Sequence, residues 1–275
     1  MQWDKVKNIL IAILLTINLF LLGNLAVRGW QSHRRTSELE ANLRTLVSAR
    51  GMQLDTAFSF PEDITLPELS LDRSRADEEK VAAVMLGEHA ERTEQEDGTV
   101  CFESDRGTLE WQADGNVQAD YTLTESAPTS ASEALEQARR LCSRWGFQAE
   151  QAGWTAEDTV VTLTGSVAGL PVHNRRLTLD FSAGDGSVSL VGLWSFGTPY
   201  TTANGISITC SAADALLQFA AESGETGKIE SMTAGYRMQT DSSRRIRLTP
   251  TWKIDTETGE YLVDCDKKTI IGEEN

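Results

Sequence analysis

The stretch SASEAL at residues 130–135 recurs as SAADAL at residues 211–216, 81 positions later. Each copy places a serine at the position of a helix N-cap and an acidic residue three positions further on, and this pair satisfies free amides of a first helical turn. Apolar residues then follow on one helical face, up to residues 147 and 222. The recurrence predicts two helices that begin alike and belong to duplicated units.

Three strand-like segments follow each of these helices, with short turns at residues 184–186 and 257–259. They are TVVTLTGSV (159–167), LPVHNRRLTLDFS (170–182), SVSLVGLWSFG (187–197), KIESMTAGYRMQT (228–240), RRIRLTPTWKIDT (244–256) and EYLVDCDKKTII (260–271). Alternation of apolar and polar residues is typical of half-buried strands, and short connections favour antiparallel pairing. Each helix is therefore expected to cover one face of an antiparallel sheet.

An earlier part of the chain has the same order. A helical pattern at residues 72–89 precedes the strand-like segments TVCFES, GTLEWQ and NVQADYTL. The sequence thus predicts an α+β protein made of repeated units of one helix packed on an antiparallel sheet. The units are a small one at residues 61–125, a second at 128–200 and a third at 205–275, the last two packed together. Trp194, Trp252, Tyr261 and Phe181 are expected in the core between sheet and helix.

A membrane anchor is predicted at residues 8–27, which are 20 uncharged and mostly apolar residues. Such a run crosses a hydrocarbon layer of about 30 Å as a helix. It is longer than the apolar core of an export signal, and no small-x-small cleavage pattern follows it. The basic residues on its two sides give no clear orientation, but a long downstream domain is translocated largely regardless of charge. We expect a single-pass protein of the cell membrane, with residues 1–7 in the cytoplasm and the body outside.

A helical stalk and linker are predicted at residues 28–60. Leu39, Leu43, Leu46 and Val47 have helical spacing. Prolines at positions 61 and 67 then predict the end of the helix and an extended linker.

The charge of the body excludes some classes of partner. Beyond residue 28 the chain has 22 basic and 40 acidic residues, a net charge of −18. Such a surface repels nucleic acid and anionic lipid headgroups. The four cysteines, Cys101, Cys142, Cys210 and Cys265, lack Cys-x-x-Cys spacing and predict neither a zinc site nor a redox motif. They are interpreted as small buried thiols, although two disulfides of undetermined pairing remain an alternative outside the cytoplasm.

Catalytic motifs do not occur in the sequence. The histidines His33, His89 and His173 belong to no HExxH pattern, and no GxSxG or P-loop pattern is present. The acidic runs at residues 77–79 and 94–97 lack the spacing of a calcium-binding EF-hand loop and are interpreted as solvated charges. The sequence therefore predicts a protein that is not an enzyme and that holds no metal or cofactor.

Both ends of the chain resemble YycI-type regulatory proteins. The beginning, MQWDKVKNILIAILLTINLFLLGN, is similar to their amino terminus, which has a tryptophan, a lysine pair and an apolar anchor interrupted by polar residues. The tail, LTPTWKIDTETGEYLVDCDKKTII, resembles the same group and the related PepSY-like units, and GLPVHNRRLTLDFSAGDGSVSLVGLW fits the same plan. Lys268 departs from the pattern, because a PepSY-like ending usually has glycine in that turn.

The resemblance implies a non-catalytic, single-pass membrane protein of a low-GC Gram-positive bacterium, without a cofactor. Its implied partners are a YycH-type sibling and the sensor histidine kinase of cell-wall metabolism, WalK, in a homo- or hetero-oligomer. An alternative is a PepSY-like extracytoplasmic module that restrains a peptidase or senses a wall-derived ligand. Fold alone does not decide between the two, since function resides in sites.

Candidate contacts to a partner helix lie within the predicted anchor. Asn18 and Asn24 place amide side chains in an apolar helix, where another helix satisfies their hydrogen bonds better than lipid does. Gly23 permits close approach of that helix. These three residues are the predicted transmembrane partner contact.

The predicted topology can be tested with intact protoplasts. Protease added from outside should digest the body and leave a membrane-embedded fragment with the amino terminus, because only the anchor and residues 1–7 are then protected. Immunoblotting with an amino-terminal tag measures this. Protection of the body, or a mature chain that begins after Ala26, would contradict the topology.

Overall fold

A computed structural model describes residues 38–147, 153–182, 186–201, 207–240 and 245–271. The prediction of a mixed α+β protein is confirmed: the described residues form four helices and a large sheet. The helices are α1 (38–49), α2 (Arg75–Leu86), α3 (Ala131–Trp145) and α4 (Ala212–Glu222).

Seventeen strands lie within the described ranges. They are β1 (Gln53–Leu54), β2 (Ile64–Pro67), β3 (Leu69–Leu71), β4 (Glu91–Glu94), β5 (Val100–Ser104), β6 (Gly107–Trp111), β7 (Asn116–Thr122), β8 (Trp154–Glu157), β9 (Val160–Val167), β10 (Leu170–Asp180), β11 (Ser187–Leu193), β12 (Pro199–Thr201), β13 (Ser207–Cys210), β14 (Lys228–Thr240), β15 (Ile246–Thr256), β16 (Glu260–Asp264) and β17 (Ile270–Ile271). Fifteen of them belong to the large sheet, and β2 and β13 form a separate pair.

The same local plan occurs three times in the strand order. Helices α2, α3 and α4 are each followed by four strands that pair antiparallel with the next in sequence: β4–β7, β8–β11 and β14–β17. The last strand of the first set, β7, pairs antiparallel with the last strand of the second, β11. These two sets therefore form one continuous run in the order β4-β5-β6-β7-β11-β10-β9-β8.

The two predicted helix openings are confirmed, and a third opening of the same kind is present. The Ser130 side chain accepts a hydrogen bond from the amide of Glu133, and the Ser211 side chain accepts one from Asp214. In α2 the Ser74 side chain accepts from the amide of Asp77. Each serine accepts a hydrogen bond from one free amide of the first turn, and the acidic residue in that turn interacts favourably with the positive end of the helix dipole.

Each set has four strands where the sequence predicted three. In the first two sets the extra members are β4 and β8, which lie at the two ends of the eight-strand run. All four residues of β4 are exposed and three of them are charged, so no apolar alternation marks that strand. In the third set, the tail segment forms both β16 and β17.

Two hydrophobic cores lie on either side of a junction in the sheet. The first core combines side chains of α2 and α3 with those of β5–β7 and β9–β11. The second combines α4 with β14–β16 and with segments upstream of α2. The second unit shares its core with the first, and it also contacts the third unit, because β10 pairs with β14. Trp194, Trp252 and Phe181 are buried as predicted.

The predicted stalk and linker are part of the second core. Leu43 and Val47 of α1 are buried, and Val47 is fully enclosed. The proline-containing segment forms β2 and β3 rather than an open linker, and β3 lies between β12 and β15. Pro67 is compatible with this arrangement because it is the last residue of β2. The sequence pattern failed here because the strand partners are more than a hundred residues away.

Lys268 occupies the turn between β16 and β17 with a φ of 52°. A left-handed backbone of this kind favours glycine, which explains why glycine is usual at this position of a PepSY-like ending. The Lys268 ammonium group donates to the Asp214 carboxylate at 2.7 Å. The lysine therefore joins the last turn of the sheet to the first turn of α4.

A buried ion cluster holds the start of α2. Glu78 is 2% exposed, so its interpretation as a solvated charge is wrong. Its carboxylate accepts from Arg73 at 2.5 Å and from Arg75 at 3.1 Å. Arg73 also donates to the carbonyls of residues 112–113, and Arg75 donates to that of Gly98. The cluster ties α2 to two sheet turns.

Replacing Glu78 by Gln should lower the free energy of unfolding by about 3 kcal/mol, because the buried carboxylate is the counter-charge of the largely buried Arg73 and the partly exposed Arg75. Urea unfolding followed by tryptophan fluorescence measures this. Glu79→Gln is the matched control, since Glu79 is exposed and its carboxylate lies 3.5 Å from Arg92; its effect should stay below about 0.5 kcal/mol. Equal effects of the two substitutions would contradict the role of the cluster.

Candidate functional site

The predicted partner-contact residues Asn18, Gly23 and Asn24 lie outside the described residues, as does the predicted anchor at residues 8–27. Across the part of the chain that the structure describes, no helix has the length and apolar character to cross a bilayer. The transmembrane contact therefore stays a prediction. A candidate site within the described residues lies instead at the junction between the two cores.

The junction is formed by residues 173–176, His-Asn-Arg-Arg, in the middle of β10. Strand β10 pairs with β9 on both sides of this segment and with β11 after it, and before it Val172 pairs with Tyr236 of β14. The pairing with β9 shifts register between Pro171 and Arg176. Four polar residues thus occupy a bulge at the point where the sheet branches.

Asn174 replaces backbone pairing at this bulge. Its Nδ2 donates to the Met238 carbonyl at 2.8 Å, and its Oδ1 accepts from the Met238 amide at 2.8 Å. A carboxamide has one donor and one acceptor side, and it therefore matches a backbone peptide group. Asn174 joins β10 to β14 where the strands themselves have diverged.

His173 packs against the backbone of β14. The imidazole is 4% exposed, and its Nε2 has no hydrogen-bond partner among the described residues. A Cβ atom on Gly235 would lie 2.4 Å from the Pro171 carbonyl oxygen and 2.6 Å from Nε2. Glycine at position 235 is required for this close approach.

Burial determines the protonation of His173. Burial, together with the positive charges of Lys253 and Arg176 and against a smaller opposing effect of Asp255 and Glu260, lowers the pKa of the imidazole from 6.5 to about 4. The neutral imidazole is therefore the form that the folded chain holds at neutral pH.

Arg175 points toward the first core. Its guanidinium carbon lies 4.1 Å from the ring centre of Trp194, and Nη2 donates to the Ser195 carbonyl at 2.9 Å. A Cβ on Gly165 would lie 2.7 Å from the Arg175 Cδ, so the glycine makes room for the stem. Burial lowers the pKa of Arg175 to about 10, and the group stays charged at neutral pH. The pair is a cation–π contact in a poorly hydrated place.

Arg176 joins β10 to the third set of strands. It donates to Glu260 at 2.6 Å, and Glu260 also accepts from Lys253 at 3.0 Å. Burial alone raises the pKa of Glu260, but the hydrogen bonds from Arg176 and Lys253 outweigh this and hold it below the usual value. These groups are partly exposed, and they form the solvent side of the junction.

The junction concentrates buried polar atoms that have no protein hydrogen-bond partner among the described residues. Besides His173 Nε2, they are Arg175 Nε, Arg176 Nε, Trp194 Nε1 and Ser195 Oγ. Unsatisfied buried polar groups are costly and mark places of strain or function. Within the described ranges, no cluster of three or more histidine, cysteine, aspartate or glutamate residues has a metal-binding arrangement. The junction joins the two packed cores, because β10 contributes residues to both.

The sequence analysis placed the HNRR segment, residues 173–176, within a strand and predicted no other role for it. One signal was available in the sequence of β10. Four consecutive polar residues interrupt the alternation between its apolar beginning and its apolar end. Such an interruption indicates a bulge. The partners Met238, Trp194 and Glu260 could not be found, because they come from three separate strands or loops.

No family model matches the chain, and no curated protein matches it. Among solved structures, an uncharacterized protein from Eubacterium rectale ATCC 33656 superposes with a TM-score of 0.44 at 9% identity, over 82% of this chain and 91% of that chain. The C-terminal domain of YpeB from Bacillus megaterium superposes with a TM-score of 0.37 at 11% identity, over 74% of this chain and 98% of that chain. The residues of this chain, rather than those of a relative, therefore carry the functional proposal.

His173→Gln should reduce the acid sensitivity of the fold. As pH falls through 6.5, the imidazole becomes protonated in the unfolded chain, whereas in the folded chain it becomes protonated only near pH 4. The free energy of unfolding therefore falls by about 1.4 kcal/mol per pH unit, or about 2 kcal/mol between pH 7 and 5, through this group. Urea midpoints at pH 7, 6 and 5 measure the slope.

The exposed His89 provides the matched control, because His89→Gln removes one imidazole without touching the junction. His173→Gln should reduce the pH dependence of the free energy of unfolding more than His89→Gln does. Parallel slopes for the parent and His173→Gln would show that burial of this imidazole contributes nothing to acid sensitivity.

Proposed function

We propose that this chain is a non-catalytic, membrane-anchored regulator of a sensor histidine kinase, of the YycI type, whose body lies outside the cytoplasm and acts through protein–protein contacts. The partners in this proposal are a WalK-type kinase and a YycH-like sibling. The observation that carries it is the packing of α1 on the second core, directly after the predicted anchor.

The position of α1 limits the distance between body and membrane. Only residues 28–37 separate the predicted anchor from the described helix. Ten residues span at most about 35 Å when fully extended. The second core therefore stays within reach of the membrane surface, where the extracytoplasmic part of a membrane kinase is also found.

Helix α1 is fixed to the body by several contacts. Val47 is fully buried in the second core. The Arg44 Nη2 donates to the Phe58 carbonyl at 3.3 Å, and its guanidinium carbon lies 5.4 Å from the ring centre of Phe60. A movement of the second core is thus transmitted to α1, which is what a regulator that acts on a neighbouring membrane helix requires.

An exposed strip of α1 beside its buried face supplies a contact surface. Leu39 and Leu46 are 50% and 51% exposed, and they lie seven residues apart on one face of the helix. Large apolar side chains in this arrangement are the anchors by which one helix recognises another. In the proposal they meet the membrane-proximal helix of the kinase, while Asn18, Gly23 and Asn24 meet its transmembrane helix.

Regulation needs two arrangements that the partners stabilise differently. In the proposal the two arrangements differ in the angle between the first and second cores, and the junction at residues 173–176 is where that angle is set. The supporting observation is that both cores meet on β10: Val172 belongs to the second core and Leu177 to the first. Binding of a sibling protein to the first core would then change this angle, and the change would be transmitted to α1 through β10 and β14.

Photo-crosslinking in intact membranes tests the proposal. A benzophenone amino acid at Leu39 or Leu46 should capture a sensor histidine kinase, because these positions face the partner helix. The same amino acid at Val84 of α2, which is 48% exposed and belongs to the other half of the molecule, is the matched control and should not capture the kinase. Mass spectrometry identifies the captured protein.

The outcome separates the two readings of the sequence. Capture of a kinase at residues 39 and 46, but not at residue 84, supports the regulator. Capture of a peptidase supports the PepSY-like module that restrains a peptidase and overturns the proposal. Absence of any captured protein at residues 39 and 46 also overturns it.

A further inference from the structure

Two of the four cysteines meet in the second core. Cys210 is the last residue of β13 and is 1% exposed, and Cys265 directly follows β16 and is 9% exposed. Strand β13 is paired to β2, and the Cys265 amide donates to the Pro250 carbonyl of β15 at 3.1 Å. The fold thus brings the segment before α4 against the end of β16.

Both cysteines belong to the second core. Lys268, three residues after Cys265, donates to the carboxylate of Asp214, four residues after Cys210, at 2.7 Å, so the two segments are also held together at the surface. The neighbouring Cys210 raises the pKa of the Cys265 thiol, and burial raises it as well. Both cysteines are free thiols in the structure. The other two are placed differently: Cys142 lies in the first core, and Cys101 is a partly exposed acceptor from Gln95 at 3.5 Å.

We propose that Cys210 and Cys265 are a disulfide-forming pair that fastens the third helix-and-sheet unit. The bond would link the start of α4 to the end of β16 and close a loop from residue 210 to residue 265. That loop contains α4 and strands β14–β16. A cross-link over a loop of this size removes entropy from the unfolded chain and so stabilises the fold.

The oxidant in this step is a disulfide of the class RSSR, either a small molecule or a protein. The Cys265 thiolate, the more exposed of the two, attacks one sulfur of RSSR, forms a mixed disulfide and releases RS⁻. The Cys210 thiolate then attacks Cys265 Sγ, forms the Cys210–Cys265 bond and releases the second RS⁻. RSSR gains two electrons, and the two protons of the cysteines end on the released thiols.

Selectivity follows from the positions of the thiols. The pKa values of the Cys142 and Cys265 thiols are both raised, so protonation does not distinguish them, and exchange should be slow at neutral pH and faster as pH rises. The difference between the two is the presence of a second thiol. Once a mixed disulfide forms on Cys265, the adjacent Cys210 resolves it, whereas Cys142 has no such neighbour among the cysteines. That the oxidised form persists in the cell depends on the proposed location outside the cytoplasm; the chemistry of the pair does not.

The test uses the full-length protein in detergent, incubated with oxidised glutathione at mildly alkaline pH. After unfolding, maleimide labelling should count two thiols instead of four, and unreduced peptide mapping should show the Cys210–Cys265 link. The unfolding temperature should rise by about 10 °C and should return on reduction with dithiothreitol.

Cys101→Ser is the matched control and should keep the rise in unfolding temperature. Cys265→Ser should abolish it. Cys210→Ala is the second variant, in which Cys265 should hold glutathione without resolving it, a mass increase that is visible even if the protein is less stable. Four free thiols in the oxidised parent, or a link between any other two cysteines, would overturn the proposal. Because no kinase takes part, failure of this test is independent of the crosslinking result.

Discussion

The two hydrogen bonds between the Asn174 carboxamide and the backbone of Met238 hold the molecule's two halves in register. Strand β10 enters the second core with Val172 and the first core with Leu177, so it belongs to both. Between these residues the strand bulges, and its backbone register with β14 is limited to Val172 and Tyr236. A buried strand that lost those bonds would leave a donor and an acceptor unpaired, at about 1–3 kcal/mol each. The side-chain amide supplies both, and the neighbouring arginines secure the bulge from either side.

The edges of the sheet are covered in two different ways. The first two units pair their last strands, β7 and β11, so each covers the open edge of the other. The third unit instead takes β3 beside β15 and β1 beside β14, both from the segment before α2. The outer strand β4 carries charged and exposed residues, which oppose pairing with another chain. The same local pattern is thus used with different long-range partners.

Local signals were readable from the sequence, and distant ones were not. The serine caps of α3 and α4 could be predicted because a cap is decided within four residues. The role of Glu78 could not, since its burial depends on arginines held in place by turns some 20 to 40 residues away. The segment at residues 58–71 was interpreted as a linker because prolines mark it, whereas its strands form only against β13, β15 and β12. In the same way, the HNRR segment showed an interrupted alternation, but its partners lie on elements that only the fold brings together.

The strongly acidic surface has a consequence for how the proposed regulator would sit at a membrane. If residues 8–27 are the anchor, a body with 40 acidic and 22 basic residues would be repelled by anionic headgroups, while a tether of at most about 35 Å would keep it near them. Repulsion between exposed charges decays over about 8 Å at physiological ionic strength, so it would act only close to the surface. In that position the exposed Leu39 and Leu46 of α1 would be kept away from lipid. An apolar helix face that is close to the bilayer but kept out of it is suited to a protein partner anchored in the same membrane.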